Sequence, residues 1–253
     1  MWVILIVASY FKTSENTGGE DISGGGNTVT DPFVPADPGN TENGKPENPD
    51  PSDPTFNEID LIGGEEPMSD MFIAIAKNDV NKVSALVSED SSLVNKLDNG
   101  ATPLQYAVLR NSYDIASFLI KRGAQVNNYR KGSKSPLSLA AYNSDKRMAK
   151  LLIDNKADLN SKDKVGATPI IIACGRKNEE VALMLLDYKI DLNAKESEHG
   201  FTALHTAVMA DLEPVVRKLV AKGADRSVKN NFGETPYEFA AKLKNDKIAE
   251  ILK

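Results

Sequence analysis

Chemically reactive side chains are scarce in this 253-residue chain. Cys174 is the only cysteine, and His199 and His205 are the only histidines. A zinc site would need three or four His, Cys or carboxylate ligands that converge on one point. No two of these three residues have the short helical spacing of paired ligands. We therefore predict no metal ion and no cofactor.

Two further segments have the composition of a ligand-binding loop but lack its pattern. Residues 24–26 are three glycines, and Asn27 and Thr28 follow them where a phosphate-binding loop would require a lysine. The acidic N-terminal part contains many prolines and lacks the oxygen-ligand spacing of a calcium-binding EF-hand loop. We assign no catalytic residue and expect neither an enzyme nor a small-molecule substrate.

A recurring three-residue phrase shows which elements must position the remaining polar side chains. Its copies start 33, 33, 34 and 33 residues apart, and a period of this length is typical of stacked repeat proteins. An alanine five residues after each start and a leucine seventeen residues after it keep the same step. The copies are Thr102-Pro103-Leu104, Ser135-Pro136-Leu137, Thr168-Pro169-Ile170, Thr202-Ala203-Leu204 and Thr235-Pro236-Tyr237.

The apolar spacing inside each repeat predicts two helices. In the repeat that starts at Thr168, residues 170–173 form one apolar stripe and residues 181–186 form a second with helical spacing. Thr or Ser followed by Pro is typical of a helix start. Cys174 stands where the other repeats have Val or Ala, so we expect a buried structural thiol.

The repeats resemble the ankyrin-repeat family. The family's T-P-L-H-x-A phrase is matched most nearly by residues 202–207, with His205 at its histidine, and residues 123–127 look like the G-A-D-V-N that ends a unit. The resemblance implies an all-α solenoid of helix-turn-helix units with short β-hairpin connections. It also implies that His205 forms hydrogen bonds between hairpins.

The register of the repeats predicts three regions. Residues 1–12 are a short apolar, signal-like segment, residues 13–68 are a disordered acidic linker rich in Pro and Gly, and residues 69–253 are a domain of about six repeats. Ser69 stands one step upstream of the first clear phrase, so a degenerate first unit begins there. The expected repeats are 69–101, 102–134, 135–167, 168–201, 202–234 and 235–253.

Charge is distributed unevenly along the chain. Residues 13–70 contain 14 Asp or Glu and one Lys, so residues 71–253 carry +6 although the whole chain carries −6. The acidic segment has too few large apolar residues to offset its ordering entropy, and we expect a spacer. The alternative is that it screens the basic repeats within the chain.

The first twelve residues leave the compartment open. Their apolar run is far shorter than the ~20 residues that span a bilayer, and it resembles the apolar core of a signal peptide without the basic start. Ser9 occupies the place where a bacterial lipoprotein signal would require a cysteine. We expect an exported or cell-envelope-associated protein, with a cytoplasmic protein as the alternative.

Protein binding is the function that remains, because stacked repeats create an extended face for recognition. We expect a monomer that binds a protein partner with an acidic surface. We expect no nucleic acid, because the basic residues are scattered without a recognition helix. The alternatives are an envelope-associated protein that protects or positions an enzyme, and a secreted effector.

The resemblance places the binding face on the hairpin tips and the exposed side of the first helices. Phe201 and Phe232 could instead pack against neighbouring hairpins, which leaves their role open. The candidate partner-binding residues are Leu109, Arg110, Lys131, Lys134, Tyr142, Lys164, Val165, Arg176, His199, Phe201, Met209 and Phe232.

Overall fold

The computed structural model describes residues 69–253, and the predictions for residues 1–12 and 13–68 lie outside these described residues. The described chain forms twelve α-helices arranged as six pairs, so the predicted all-α repeat fold is confirmed. None of these helices is both long and apolar enough to cross a membrane. The helices are α1 Asp70–Ala76, α2 Val80–Glu89, α3 Pro103–Leu109, α4 Tyr113–Lys121, α5 Pro136–Tyr142, α6 Lys146–Asp154, α7 Pro169–Gly175, α8 Glu179–Leu185, α9 Ala203–Met209, α10 Glu213–Ala221, α11 Pro236–Lys242 and α12 Asp246–Leu252.

Hydroxyl side chains start the first helix of most pairs, as the recurring phrase predicts. Thr102 accepts a hydrogen bond from the backbone N–H of Gln105, and the Gln105 side chain accepts one from the backbone N–H of Thr102. This capping box satisfies two N–H groups that the helix itself leaves without partners. The same arrangement recurs at Thr202 and Thr235.

Thr168 departs from this pattern. Its hydroxyl has no hydrogen-bond partner although it is buried, and it does not cap α7. The residue three positions later is Ile171, where the other units have Gln105, Ser138 or His205. An apolar side chain cannot complete the box, so this unit begins without the polar pair that its neighbours share.

The two helices of each pair are joined by a residue with left-handed backbone conformation. None of these residues is glycine, and their φ angles lie between 52° and 61°. Asn and Asp tolerate this conformation better than other residues, whereas Ser and Lys adopt it at a cost of order 1–3 kcal/mol. The turn residues are Asn78, Asn111, Ser144, Lys177, Asp211 and Lys244.

The core lies between successive pairs. Each first helix contacts its own second helix and the first helix of the next unit, along the row α1, α3, α5, α7, α9 and α11. The alanine and leucine columns identified in the sequence are buried in this row and beneath it. The members with 0% exposure are Ala107, Ala140, Ala173, Ala207, Ala240, Leu119, Leu152, Leu185 and Leu219.

A column of asparagines links the ends of consecutive units. Asn95 accepts a hydrogen bond from the backbone N–H of Gln125 at 2.8 Å, and Asn127 accepts one from Asp158 at 2.8 Å. Asn160 and Asn193 repeat the bond in the next two units. A backbone N–H that accepts no substitute partner elsewhere is thereby satisfied at each junction.

The connections between units are turns rather than strands. Strand-like pairing in residues 69–253 is limited to two isolated bridges, Asp98 with Ala101 and Gly132 with Asp163. The predicted hairpins are therefore too short to form ladders. Each connection nevertheless contacts the next one, since Ser197 N–H donates to the Val165 carbonyl at 2.7 Å and Asn231 N–H donates to the His199 carbonyl at 2.8 Å.

One connection is a residue longer than the others, and a longer side chain spans it. In the connection at residues 163–167, the Asp163 carboxylate accepts from the N–H groups of Val165 and Ala167. In the longer one, Glu196 accepts from the N–H groups of Glu198, His199 and Phe201. The extra methylene of glutamate thus matches the extra residue in the turn.

The buried leucine column carries much of the stability. We predict that Leu152→Ala lowers the free energy of unfolding by ~2–5 kcal/mol, because Leu152 is 0% exposed and the change leaves a cavity. Urea unfolding followed by circular dichroism measures this. Lys146→Ala on the same helix is the control and should change stability by less than about 0.5 kcal/mol. Similar values for both variants would contradict the assigned core.

The long connection depends on one carboxylate. We predict that Glu196→Ala destabilises the fold by about 1–3 kcal/mol, because three N–H groups lose their acceptor in a buried site. The neighbouring variant Glu198→Ala should be close to neutral, since this side chain is exposed. Thermal unfolding of both variants in parallel is the measurement. A neutral Glu196→Ala would show that water replaces the carboxylate without cost.

Candidate functional site

The structure divides the twelve candidate residues into exposed, half-buried and buried groups. Leu109 is 0% exposed and belongs to the core, so its place among surface residues was wrong. The reason is that Asn143, at the end of α5, donates hydrogen bonds to the carbonyls of Val108 and Leu109 and so holds α5 over this side chain. The exposed candidates are Lys131, Lys164 and Phe232, and the half-buried ones are Arg110, Lys134, Tyr142, Val165, Arg176 and Met209.

Three candidates from neighbouring units meet around one aromatic ring. The Arg176 guanidinium carbon lies 4.3 Å from the centroid of the Tyr142 ring, and Lys134 Nζ lies 5.7 Å from it. Tyr142 ends α5, whereas the equivalent position on α7 is Gly175, which has no side chain that could cover the ring. We call Lys134, Tyr142 and Arg176 the Tyr142 cluster.

Cation–π contacts of this kind hold the long basic side chains in place. Each contributes about 0.5–1 kcal/mol at an exposed site. The cluster thus combines a half-buried aromatic ring with two oriented cations. Lys131 and Lys164 add exposed positive charge on the connections that flank it.

A second group of aromatic candidates lies around Phe201 and is mostly buried. Phe201 is 3% exposed and stacks against His205 at 5.7 Å and against Phe239 at 5.2 Å between ring centroids. His199 lies 5.4 Å from Phe201 and 6.3 Å from Phe232. We call these five residues the Phe201 cluster. It joins the last two units, so the alternative of packing between connections describes Phe201 and His199, while Phe232 remains 46% exposed.

His205 bridges two units through both ring nitrogens. Its Nδ1 lies 3.0 Å from the Thr202 hydroxyl, and its Nε2 lies 3.1 Å from the Glu234 carbonyl oxygen. A carbonyl can only accept, so Nε2 carries the proton and Nδ1 is the acceptor. Burial lowers the pKa of His205 below its ordinary value, more than the hydrogen bond to Glu234 raises it. The imidazole is therefore a neutral structural bridge.

Gln105 performs the same task three units earlier. Its Oε1 accepts from the Thr102 N–H at 3.0 Å, and its Nε2 donates to the Lys134 carbonyl at 2.9 Å. A glutamine and a neutral histidine are thus interchangeable at this position. The bridge at Lys134 also holds the backbone that carries one member of the Tyr142 cluster.

One group of side chains has the proximity of metal ligands. The ligand atoms of Glu196, Glu198 and His199 lie within 4.8 Å of one another. Both Glu196 oxygens already accept hydrogen bonds from backbone N–H groups, and four such bonds occupy the four acceptor positions of a carboxylate. Metal binding would have to break the turn that the same carboxylate stabilises.

Cys174 is inert in this structure. It is 0% exposed, and burial raises the pKa of its thiol to about 12. A thiol with such a pKa forms almost no thiolate, which is the reactive species. The expected buried structural thiol therefore agrees with its position, and added surface cysteines would be labelled selectively.

Sequence reasoning missed a second aromatic-basic pair. The Arg147 guanidinium carbon lies 3.5 Å from the centroid of the Tyr113 ring, which joins the second helices α4 and α6. Arg122 similarly lies over Phe118 at 4.9 Å. Both pairs lie on the second helices, whereas only first helices and connections were considered. The spacing of 34 residues between Tyr113 and Arg147, one repeat step, is the signal that could have found the first pair.

Stacked helix pairs with a polar face formed by connections define a helical repeat scaffold. A family model described as ankyrin repeats in three copies matches residues 57–130 and 126–196, and an ankyrin-repeat model matches residues 199–231. These matches cover more than half of the chain, so it belongs to the ankyrin-repeat family. Ankyrin repeats are generally protein–protein interaction modules and are typically non-enzymatic. No curated protein matches the chain in sequence.

The neutral state of His205 predicts a pH dependence. The unfolded state takes up a proton on this imidazole below about pH 6.5, whereas the lowered pKa keeps the folded state neutral. Its contribution to stability is therefore complete above that pH and is lost as the pH falls toward the folded pKa. We predict that His205→Gln flattens the loss of stability between pH 7.5 and pH 5.5, which urea unfolding at each pH measures. Identical slopes in both proteins would contradict the assignment.

Proposed function

We propose that this protein is a non-enzymatic scaffold that binds an acidic surface of a protein partner through the Tyr142 cluster and the flanking basic connections. The observation that carries the proposal is the half-buried Tyr142 ring with Arg176 and Lys134 oriented over it. Tyr and Arg are the residue types enriched among the residues that dominate binding energy at protein interfaces.

The charge around this cluster favours an acidic partner. Lys131 and Lys164 are exposed beside it, and Arg110 is half-buried one unit earlier. The carboxylate nearest in sequence, Asp163, accepts hydrogen bonds from its own turn, and burial raises its pKa. The outward-facing charge of these connections is therefore positive, which steers negatively charged partners toward the face.

The energetic arrangement fits a protein interface better than a polyanion site. Nucleic acid binding depends on many phosphate contacts from closely spaced cations. Here one aromatic ring is held between two cations, and additional cations are spread over two connections. A small, pre-oriented centre with a charged rim is the usual anatomy of a protein interface.

The chain provides a matched test of this proposal. We predict that Tyr142→Ala with Arg176→Ala weakens partner binding by at least about 2 kcal/mol, roughly thirtyfold in Kd. The control is Tyr113→Ala with Arg147→Ala, which removes the same residue types and a cation–π pair from the second helices. The control should bind as the unchanged protein does. Phe201 is left intact because its burial would make the test one of folding.

The partner itself can be found with site-specific cross-linking in lysate of the source cells. A photoreactive maleimide at Lys164→Cys, beside the Tyr142 cluster, is compared with the same label at Lys121→Cys on α4. The buried Cys174 does not compete for the label. A protein captured from position 164 but not from 121 is then used to measure the affinities of the two double variants. Equal loss of binding in both would reject this face as the interface.

A further inference from the structure

An apolar groove lies at the N-terminal end of the described repeats. Its volume is about 440 Å³, and Met71, Leu86, Leu93 and Leu97 contribute apolar lining. Leu97 is 51% exposed, although large apolar side chains are usually covered in repeat junctions. Later connections are covered on the equivalent side by the connection that precedes them, as the bond from Ser197 N–H to the Val165 carbonyl shows.

The chain enters the described structure at the rim of this groove. Ser69 lines the groove, and its backbone N–H donates a hydrogen bond to Asp98 Oδ2 at 2.8 Å. Asp98 belongs to the first described connection and lines the groove as well. The bond therefore anchors the preceding residues beside the apolar lining.

The residues that precede Ser69 have the composition that the groove requires. Phe56, Ile59, Leu61 and Ile62 are the large apolar residues within seven consecutive positions, in a segment otherwise dominated by polar residues and prolines. Six residues separate Ile62 from Ser69, and a chain of this length can span roughly 20 Å when extended. Reach is therefore no obstacle to docking.

The repeat register supplies an independent argument. Val94 and Val126 stand at the end of successive units, and both are buried. A further step of 33 residues upstream from Val94 reaches Leu61. Leu61 thus has the position and the apolar character of the side chains that end each following unit. The family match beginning at residue 57 is consistent with this register.

We propose that residues 56–62 of the same chain bind in this groove and cover the apolar end of the repeat array, with Leu61 toward Leu97. The docked segment would perform for the first connection what each connection performs for the next one. It would also join the acidic part of the chain to the repeats at a defined point, rather than through a free linker. Tethering favours this occupant over any second molecule, because the effective concentration of a short tethered segment is in the millimolar range.

Disulfide trapping in the full chain tests the proposal. The variant Leu61→Cys with Leu97→Cys should form an intramolecular disulfide at least about tenfold faster than Leu61→Cys with Ser88→Cys, since docking raises the effective concentration at the groove alone. Ser88 is exposed on α2 and does not line the groove. The native Cys174 is buried and does not exchange. Equal rates for both pairs would overturn the proposal, and so would preferential disulfide-linked dimers of Leu97→Cys, which would indicate a second copy as the occupant.

A second measurement does not depend on new cysteines. Leu61→Asp should lower the thermal unfolding temperature and increase binding of an apolar fluorescent dye, because the groove becomes uncovered. Phe33→Asp makes the same type of change in the acidic part, far in sequence from Ser69, and should do neither. Identical behaviour of the two variants would overturn the proposal. Neither result bears on the Tyr142 cluster, so this inference and the proposed binding function can fail separately.

Discussion

The burial of apolar side chains between neighbouring units is the interaction on which this protein depends. A single helix pair cannot cover its own apolar side, so stability arises where two pairs meet. The alanine column lets first helices approach closely, and the leucine column fills the space beneath them. Because every unit relies on its neighbours, an end of the array is a place where cover has to be supplied by other means.

Polar side chains add registration to this apolar contact. The asparagine column, the bridges of Gln105 and His205, and the Glu196 carboxylate all connect backbone groups that the short turns leave without strand partners. Each bond contributes only about 1 kcal/mol, but an incorrect alignment of two units would leave several buried groups unsatisfied. These bonds therefore select one alignment, while the aromatic and basic side chains on the outside remain available for binding.

The periodic part of the structure could be predicted from the sequence, because repeated apolar spacing and Ser/Thr-Pro starts act locally. The helix pairs, the first-helix starts and the buried columns follow from it. The burial of Leu109 could not be predicted, because it depends on hydrogen bonds from Asn143 in the next unit. The Tyr142 cluster was predicted as single residues of a face, but its convergence required knowledge of how α5 and α7 stack. The left-handed turns at Lys177 and Lys244 were equally hidden, since neither residue type favours that conformation.

Gly200 shows why the units are not interchangeable. Its φ is 68°, and a Cβ atom there would lie 2.9 Å from the backbone nitrogen of Asn231 in the following connection. The lengthened turn with Glu196 and the close approach to Asn231 therefore form a matched seam between two particular units. Recombination that removed or duplicated a unit at this place would bring mismatched surfaces together. The order of the repeats is thus constrained by local geometry, and in evolution this seam would tolerate exchange less readily than a chain of identical modules.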